Sequence, residues 1–257
     1  MRTCNSMPSH ILIISAVAEE TQSTAAAMKQ TGRATIGHRD VTEGELFGHR
    51  IRLLVSGPGI MNTVQAATAC IETEKPSLII QTGSGGAFQA SGLKQGDIGI
   101  ASEEIDVQLG IEADFAGNVP EELPFPVLMK NSAVYKNRFD CSREIADHAE
   151  NVIGRHMRDR GIGVRKGPFA TVSTITATDK TATDLFFHHG AIMESMEGCG
   201  AAYLALLYDT PFLEIRAASN MVGRRNRPAW DLPLACKRSS EAVMVFLRSW
   251  PPEASHQ

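Results

Sequence analysis

One short, continuous apolar run, His10-Ile-Leu-Ile-Ile-Ser-Ala-Val17, is followed along the chain by further strand-like runs rich in apolar residues: Ile51–Ser56, Leu78-Ile-Ile-Gln81, Ile98-Gly-Ile-Ala101 and Phe212–Ala217. A strand with one face in water alternates apolar and polar residues, so a run without alternation is buried on both faces. Between the runs lie segments of helical character, Thr21–Gln30, Asn62–Ile71, Ser142–Arg160, Gly198–Tyr208 and Ser239–Arg248. Further strands are expected at Gly167–Ser173 and Ala191–Met193, a loop at Thr174–Thr183, and a long irregular cover over Asp106–Lys130. The alternation predicts an α/β fold: a single domain whose central, twisted, mostly parallel mixed sheet is flanked by helices. At 257 residues the chain is long enough for one such domain with a full core, and no repeat or linker divides it.

In open sheets of this kind ligands sit beyond the carboxyl ends of the strands. The polar residues of this chain gather at such ends. Glu19 and Glu20 follow the first run, Ser56-Gly-Pro-Gly59 the second, and Thr82-Gly-Ser-Gly-Gly86 the third. Glu194, Met196 and Glu197 precede an Ala/Leu-rich helix, and Ser219-Asn220 closes the last run. Brought to one edge, they form a single pocket. Glu197 either caps the helix after it, where the dipole favours a carboxylate, or accepts hydrogen bonds from the neighbouring hydroxyls of a ribose. Glu20 is either a first-turn helix residue or a general base that activates water, and Glu19 is a solvated neighbour. Ser84 with Gly85 and Gly86 makes either a plain turn or a place where backbone approaches a ligand closely. Asn220 forms a turn, or offers donor and acceptor to a ring bearing a carbonyl beside an N–H.

Composition works by exclusion. The net charge of −4, without a basic block, points away from nucleic acid and from anionic membranes. The local exception, Arg224-Arg225-Asn226-Arg227, is a set of surface charges or a partner for a substrate carboxylate, and Arg225 is the candidate carried forward. Five cysteines (Cys4, Cys70, Cys141, Cys199 and Cys236) are odd in number and scattered, as expected of reduced thiols in a cytoplasmic protein. No His-Glu-x-x-His, CxxC or P-loop spacing occurs, so neither a metal nor a cofactor is expected. The polar start of the chain has no long apolar segment behind it, so neither a signal peptide nor a membrane span is expected.

The ordered set Ile13-Ile-Ser-Ala-Val-Ala-Glu-Glu20, Ser56-Gly-Pro-Gly59, Gln81-Thr-Gly-Ser-Gly-Gly86, Lys94-Gln-Gly-Asp-Ile98, Met193-Glu-Ser-Met-Glu-Gly198 and Arg216-Ala-Ala-Ser-Asn220 resembles the nucleoside phosphorylase/hydrolase superfamily, in particular its nucleosidase branch. The carboxy-terminal third, from Met193 to Leu232, is most similar to the futalosine hydrolases of the alternative menaquinone route. The resemblance implies a nucleoside phosphorylase-like fold and hydrolysis of the N-glycosidic bond of futalosine, with hypoxanthine released. Methylthioadenosine/S-adenosylhomocysteine nucleosidase and purine nucleoside phosphorylase remain the alternatives. It implies Glu20 as the water-activating carboxylate, Met196 and Glu197 at the ribose, Ser84, Gly85 and Gly86 beside ribose and water, and Asn220 at N7 of the purine. Nucleosidases for adenine carry Asp at that last place; Asn suits a 6-oxopurine. A loop around Thr176–Thr178, with Thr178 as the candidate, falls where the base is contacted. The partners implied are a small-molecule nucleoside and further copies of the chain in a homodimer or larger homo-oligomer.

Overall fold

All six residues of the first strand, β1 (His10–Ser15), are buried, as its unbroken apolar run requires. The computed structural model describes residues 9–113 and 119–251, so Cys4 and the middle of the irregular stretch lie outside the described residues. After β1 come a short 3-10 turn at Ala18–Thr21, α1 (Gln22–Ala27), and the strands β2 (Lys29–Ile36), β3 (Arg39–Leu46) and β4 (His49–Val55). Then follow α2 (Ile60–Thr73), β5 (Leu78–Ala87), β6 (Ile98–Asp106), and the small strands β7 (Leu128–Lys130), β8 (Ala133–Tyr135) and β9 (Arg138–Asp140). The chain closes with α3 (Arg143–Arg158), β10 (Val164–Thr171), α4 (Asp179–His189), β11 (Met193–Ser195), α5 (Gly198–Leu207), β12 (Phe212–Met221) and α6 (Leu232–Ser249).

The main sheet runs β11-β10-β6-β12-β5-β1-β4-β3-β2, with β9 attached to β6. Its centre, β4-β1-β5-β12, is parallel, as is β6-β10-β11. The two parallel parts meet antiparallel at β6–β12, and β11 returns to pair antiparallel with β5. That last pairing closes β5, β12, β6, β10 and β11 into a ring, where an open sheet edge was expected. The mixed, helix-flanked α/β architecture is as anticipated.

The pleat divides the core between two faces. Ile11 and Ile13 of β1, with Leu213 and Ile215 of β12, pack toward α3 and α6. Leu12 and Ile14, with Phe212, pack toward α2 and α5. Each such side chain contributes roughly 1.5–3 kcal/mol on burial. Period-2 alternation puts Glu214 and Arg216 of β12 on the α5 side as well, and both are almost wholly buried. α5 is apolar around nearly its whole circumference because it lies inside the molecule.

Several expectations on elements need correction. The Lys29–Ile36 and Arg39–Leu46 strands occupy a region that had been given helix up to Gln30 and nothing beyond. β2 sits at the sheet edge, so its residues are largely exposed and lack an apolar signature. The glycines after Gln81 continue β5 to Ala87 instead of forming a turn, because β12 pairs with them through Met221. Half of the expected Thr174–Thr183 loop is the start of α4. α6 begins at Leu232, capped by Asp231, whose carboxylate accepts from the Leu234 amide at 3.0 Å. Asp before Leu-Pro was a legible start signal.

Candidate active site

The 3-10 turn after β1 swings Glu20 back over the strand ends, leaving it 4% exposed. One oxygen accepts from the backbone amides of Ala16 and Val17 at 3.0 and 3.4 Å. The other accepts from the Ser84 amide at 2.9 Å and its hydroxyl at 3.0 Å. Gly83 makes this approach possible: a Cβ there would lie 2.5–2.7 Å from the Glu20 carboxylate, and the residue's φ of +153° disfavours a side chain.

Glu197 reaches the same place from the opposite side. It is 3% exposed at the N-cap of α5. Its Oε1 accepts from the Gly59 amide at 2.9 Å, and its Oε2 from the Arg216 guanidinium at 2.8 Å and the Met196 amide at 3.3 Å. Glu197 occupies the N-cap position of α5, but its side chain makes no capping hydrogen bond to the helix; the carboxylate lines a cavity instead. Arg216 bridges the site. It donates to Ser84 O at 2.8 Å and to Glu214 at 2.5 Å, and its guanidinium is held firmly charged by Glu214 first, then Glu197 and Glu20, against the effect of burial.

A cavity of about 220 Å³ is lined by Glu20, Ser84, Gly85, Gly86, Met196, Glu197, Arg216 and Asn220, together with Ile175, Glu194, Trp230 and Leu232. Sequence reasoning thus named most of the residues that meet there, and overlooked Arg216 and the wall residue Ile175. Asn220 reaches the cavity through an irregularity. Ala218 pairs with Gly85 and Asn220 with Gly86, so Ser219 is an extra residue in β12. Ser219 Oγ donates to Asn220 Oδ1 at 2.7 Å, and Asn220 Nδ2 donates to Met221 O at 3.1 Å. A second cavity of about 540 Å³ adjoins the first, sharing Val17, Glu20, Ser84 and Leu232, and extends to Pro233, Cys236 and Lys237.

Two candidates do not line the cavity. Thr178 is the N-cap of α4 and its hydroxyl oxygen accepts from the Thr181 amide at 3.1 Å; the same loop reaches the cavity through Ile175. Arg225 stacks over Trp230, 5.8 Å from the ring centre, on the solvent side of that wall. Glu194 is half engaged: its Oε1 accepts from the Thr176 amide at 3.2 Å, its Oε2 is buried without a hydrogen-bond partner among the described residues, and burial pushes its carboxyl above the usual range.

Among the described lining residues Arg216 is the one cation, and two carboxylates already hold it. A second arginine, absent from the Ser56–Asn62 segment, approaches it in space: Arg39 of β3 donates to Asn62 Oδ1 at 2.7 Å and to Gln65 at 3.0 Å. Those amides occupy it, and it stands outside the cavity. Among the described residues no three His, Cys, Asp or Glu side chains are grouped to hold a metal ion, and no helix is long and apolar enough to cross a membrane.

Residues 10–248 match the family model of the phosphorylase superfamily. Over 248 residues the chain is 28% identical to a 5′-methylthioadenosine/S-adenosylhomocysteine nucleosidase of Lysinibacillus sphaericus, covering 93% of this chain and 99% of the relative. It is 31% identical to a futalosine hydrolase of Acidothermus cellulolyticus, covering 96% of this chain and 93% of the relative. In fold it is similar to the Neisseria meningitidis 5′-methylthioadenosine/S-adenosylhomocysteine nucleosidase solved with methylthio-immucillin-A. The TM-score is 0.79 at 24% identity, over 94% of this chain and all of that one. Both sequence relatives cleave N-glycosidic bonds, and both are matched almost end to end. The chain belongs to the phosphorylase superfamily and is an N-glycosyl hydrolase of its nucleosidase kind.

Proposed function

We propose that the enzyme hydrolyses the N-glycosidic bond of a 5′-substituted purine nucleoside, with futalosine as substrate and hypoxanthine as the released base. The observation that carries this reading is the meeting of Glu20, Glu197 and Asn220 around one cavity. N-glycoside cleavage builds positive charge on the ribose and negative charge on the leaving base. Glu197 accepts hydrogen bonds from the ribose hydroxyls and favours the cation electrostatically. Glu20 takes a proton from water as it attacks C1′, with Ser84 orienting the carboxylate. Asn220 hydrogen-bonds the departing purine. Water is favoured over phosphate as nucleophile because the lining cation, Arg216, is engaged by Glu197 and Glu214. The adjoining cavity supports a bulky 5′ substituent, which would pass between Val17 and Leu232.

The amide of Asn220 supports a 6-oxopurine, since it donates to a carbonyl oxygen and cannot protonate N7 as a carboxylic acid can. The 31% identity to a futalosine hydrolase supports the same substrate. A second reading, cleavage of methylthioadenosine or S-adenosylhomocysteine, is supported by several similar relatives named for that activity. Chromatographic assay of purine release from futalosine, inosine and methylthioadenosine, with and without phosphate, separates them. Hypoxanthine from futalosine, independent of phosphate, is the expected result. Adenine from methylthioadenosine, with futalosine untouched, would overturn the substrate.

A further inference from the structure

Behind Arg216 lies a second pair of acids that the proposed chemistry does not use. Glu104 of β6 and Glu214 of β12 are both fully buried, and their side chains stand within hydrogen-bonding reach of each other. Both carboxyls pack against the Cα of Gly198, the first residue of α5; a Cβ there would overlap Glu104 and come within 2.5 Å of Glu214 Oε2. Glu104 Oε2 accepts from the Thr171 hydroxyl at 2.8 Å, and Thr171 Oγ1 accepts from the Cys199 amide at 2.9 Å. Glu214 Oε1 holds Arg216 at 2.5 Å. That leaves Glu104 Oε1 and Glu214 Oε2 buried without any donor. Two ionised carboxylates in contact inside a protein repel strongly, and a single shared proton removes the repulsion.

We propose that Glu104 and Glu214 share one proton and act as positioning residues for Glu197, relayed through Arg216. This role rests on the nucleosidase reading above. The charges give it a purpose. Arg216 bears one positive charge between Glu197 and Glu214. Were Glu197 its only carboxylate partner, the two would cancel, and little negative charge would remain for the cationic ribose. With the singly protonated pair behind it, the network keeps one excess negative charge, and Arg216 is shared between two carboxylates. Burial, then the neighbouring Glu214, push the Glu104 carboxyl well above the usual range, in keeping with a neutral Glu104. The other titratable groups around the pair are the thiols of Cys199 on α5 and Cys141 before α3, both pushed up by burial. Glu103 of β6 and Asp140 of β9 act on Cys141, and Asp106 of β6 acts on Cys199.

The test compares Glu104→Gln with Glu214→Gln. In Glu104→Gln the amide replaces the acid proton and the excess charge stays, so kcat is expected within about threefold of wild type. In Glu214→Gln the charge is lost, and kcat is expected to fall at least about tenfold with KM changed less than about threefold, a split that mere loss of packing would not give. Isotope-edited infrared spectra at neutral pH should show a protonated carboxylic acid band in the wild type that Glu104→Gln removes. The infrared arm needs no substrate, and it stands alone if Glu214→Gln does not fold. Wild-type kcat in Glu214→Gln, equal losses in both variants, or no acid band in the wild type would each overturn the proposal. A wild type that cleaves no nucleoside sinks the nucleosidase reading and the positioning role with it, while the band still decides whether the proton is shared.

Discussion

Glu20 is surrounded by amide donors and a hydroxyl, with no cation in direct contact. Such an environment holds a carboxylate in one orientation without neutralising it, as a base aimed at one water requires. Glu20→Gln is expected to lower kcat by about 10²–10⁴-fold with a small change in KM, measured by steady-state purine release. Asn220→Asp is expected to move the preference from hypoxanthine-bearing toward adenine-bearing nucleosides, read as the ratio of kcat/KM for futalosine and methylthioadenosine. The carboxylates were legible as candidates because they stand at strand ends, although a helix-start role was open to each. Arg216 was not, because it lies within the strand Phe212–Met221, paired with Glu214 two residues before it, and its other partners, Ser84 and Glu197, come from other segments of the chain. Thr178 failed for the opposite reason. A threonine before Asp-Lys-Thr is a helix-cap signal, and its hydroxyl is spent on the Thr181 amide.

At the scale of elements, the buried strands were readable and the half-exposed ones were not. β1 announces itself by a continuous apolar run and β12 by the apolar residues around Glu214 and Arg216, whereas β2 and β3 are held by edge pairing and by ion pairs such as Arg52–Glu43 at 2.8 Å. The start of α6 matters to the site as well as to the helix. Asp231 caps α6 through Leu234, while its own amide donates to Ser219 O at 2.9 Å, tying the helix start to the irregular end of β12. Asp231→Ala is expected to cost about 1 kcal/mol of stability in denaturant unfolding, in line with loss of an N-cap. It should also raise KM more than it lowers kcat, because Trp230 and Leu232, on either side of Asp231, line the cavity.

For the molecule as a whole, closure of the ring by β11 against β5 brings segments far apart in sequence around one cavity. No local pattern encodes that pairing, which is why the residues of the site could be named while the ring could not. Global stability also depends on groups remote from the site. His10, within β1, has its pKa lowered to about 4 by burial and then by Arg52, and His189, ending α4, is lowered to about 4 by burial. Both are neutral in the folded chain where the unfolded chain already binds a proton. Stability is therefore complete above the ordinary value of 6.5 and is lost as pH falls from 6.5 toward 4, by up to about 3 kcal/mol for each histidine. Thermal melts across that range should show Tm falling with acidification, and His10→Gln should flatten the slope.

The extra residue in β12 separates two tasks that a regular strand would bind together. Up to Ala218 each side chain answers to the packing of one face or the other; Asn220, set beyond the irregularity beside Gly86, answers to neither cluster. The residue proposed to meet the base is thus free to vary without disturbing the interior. Codons for Asn and Asp differ by one nucleotide, so a lineage with this scaffold stands a single point mutation away from trying another purine.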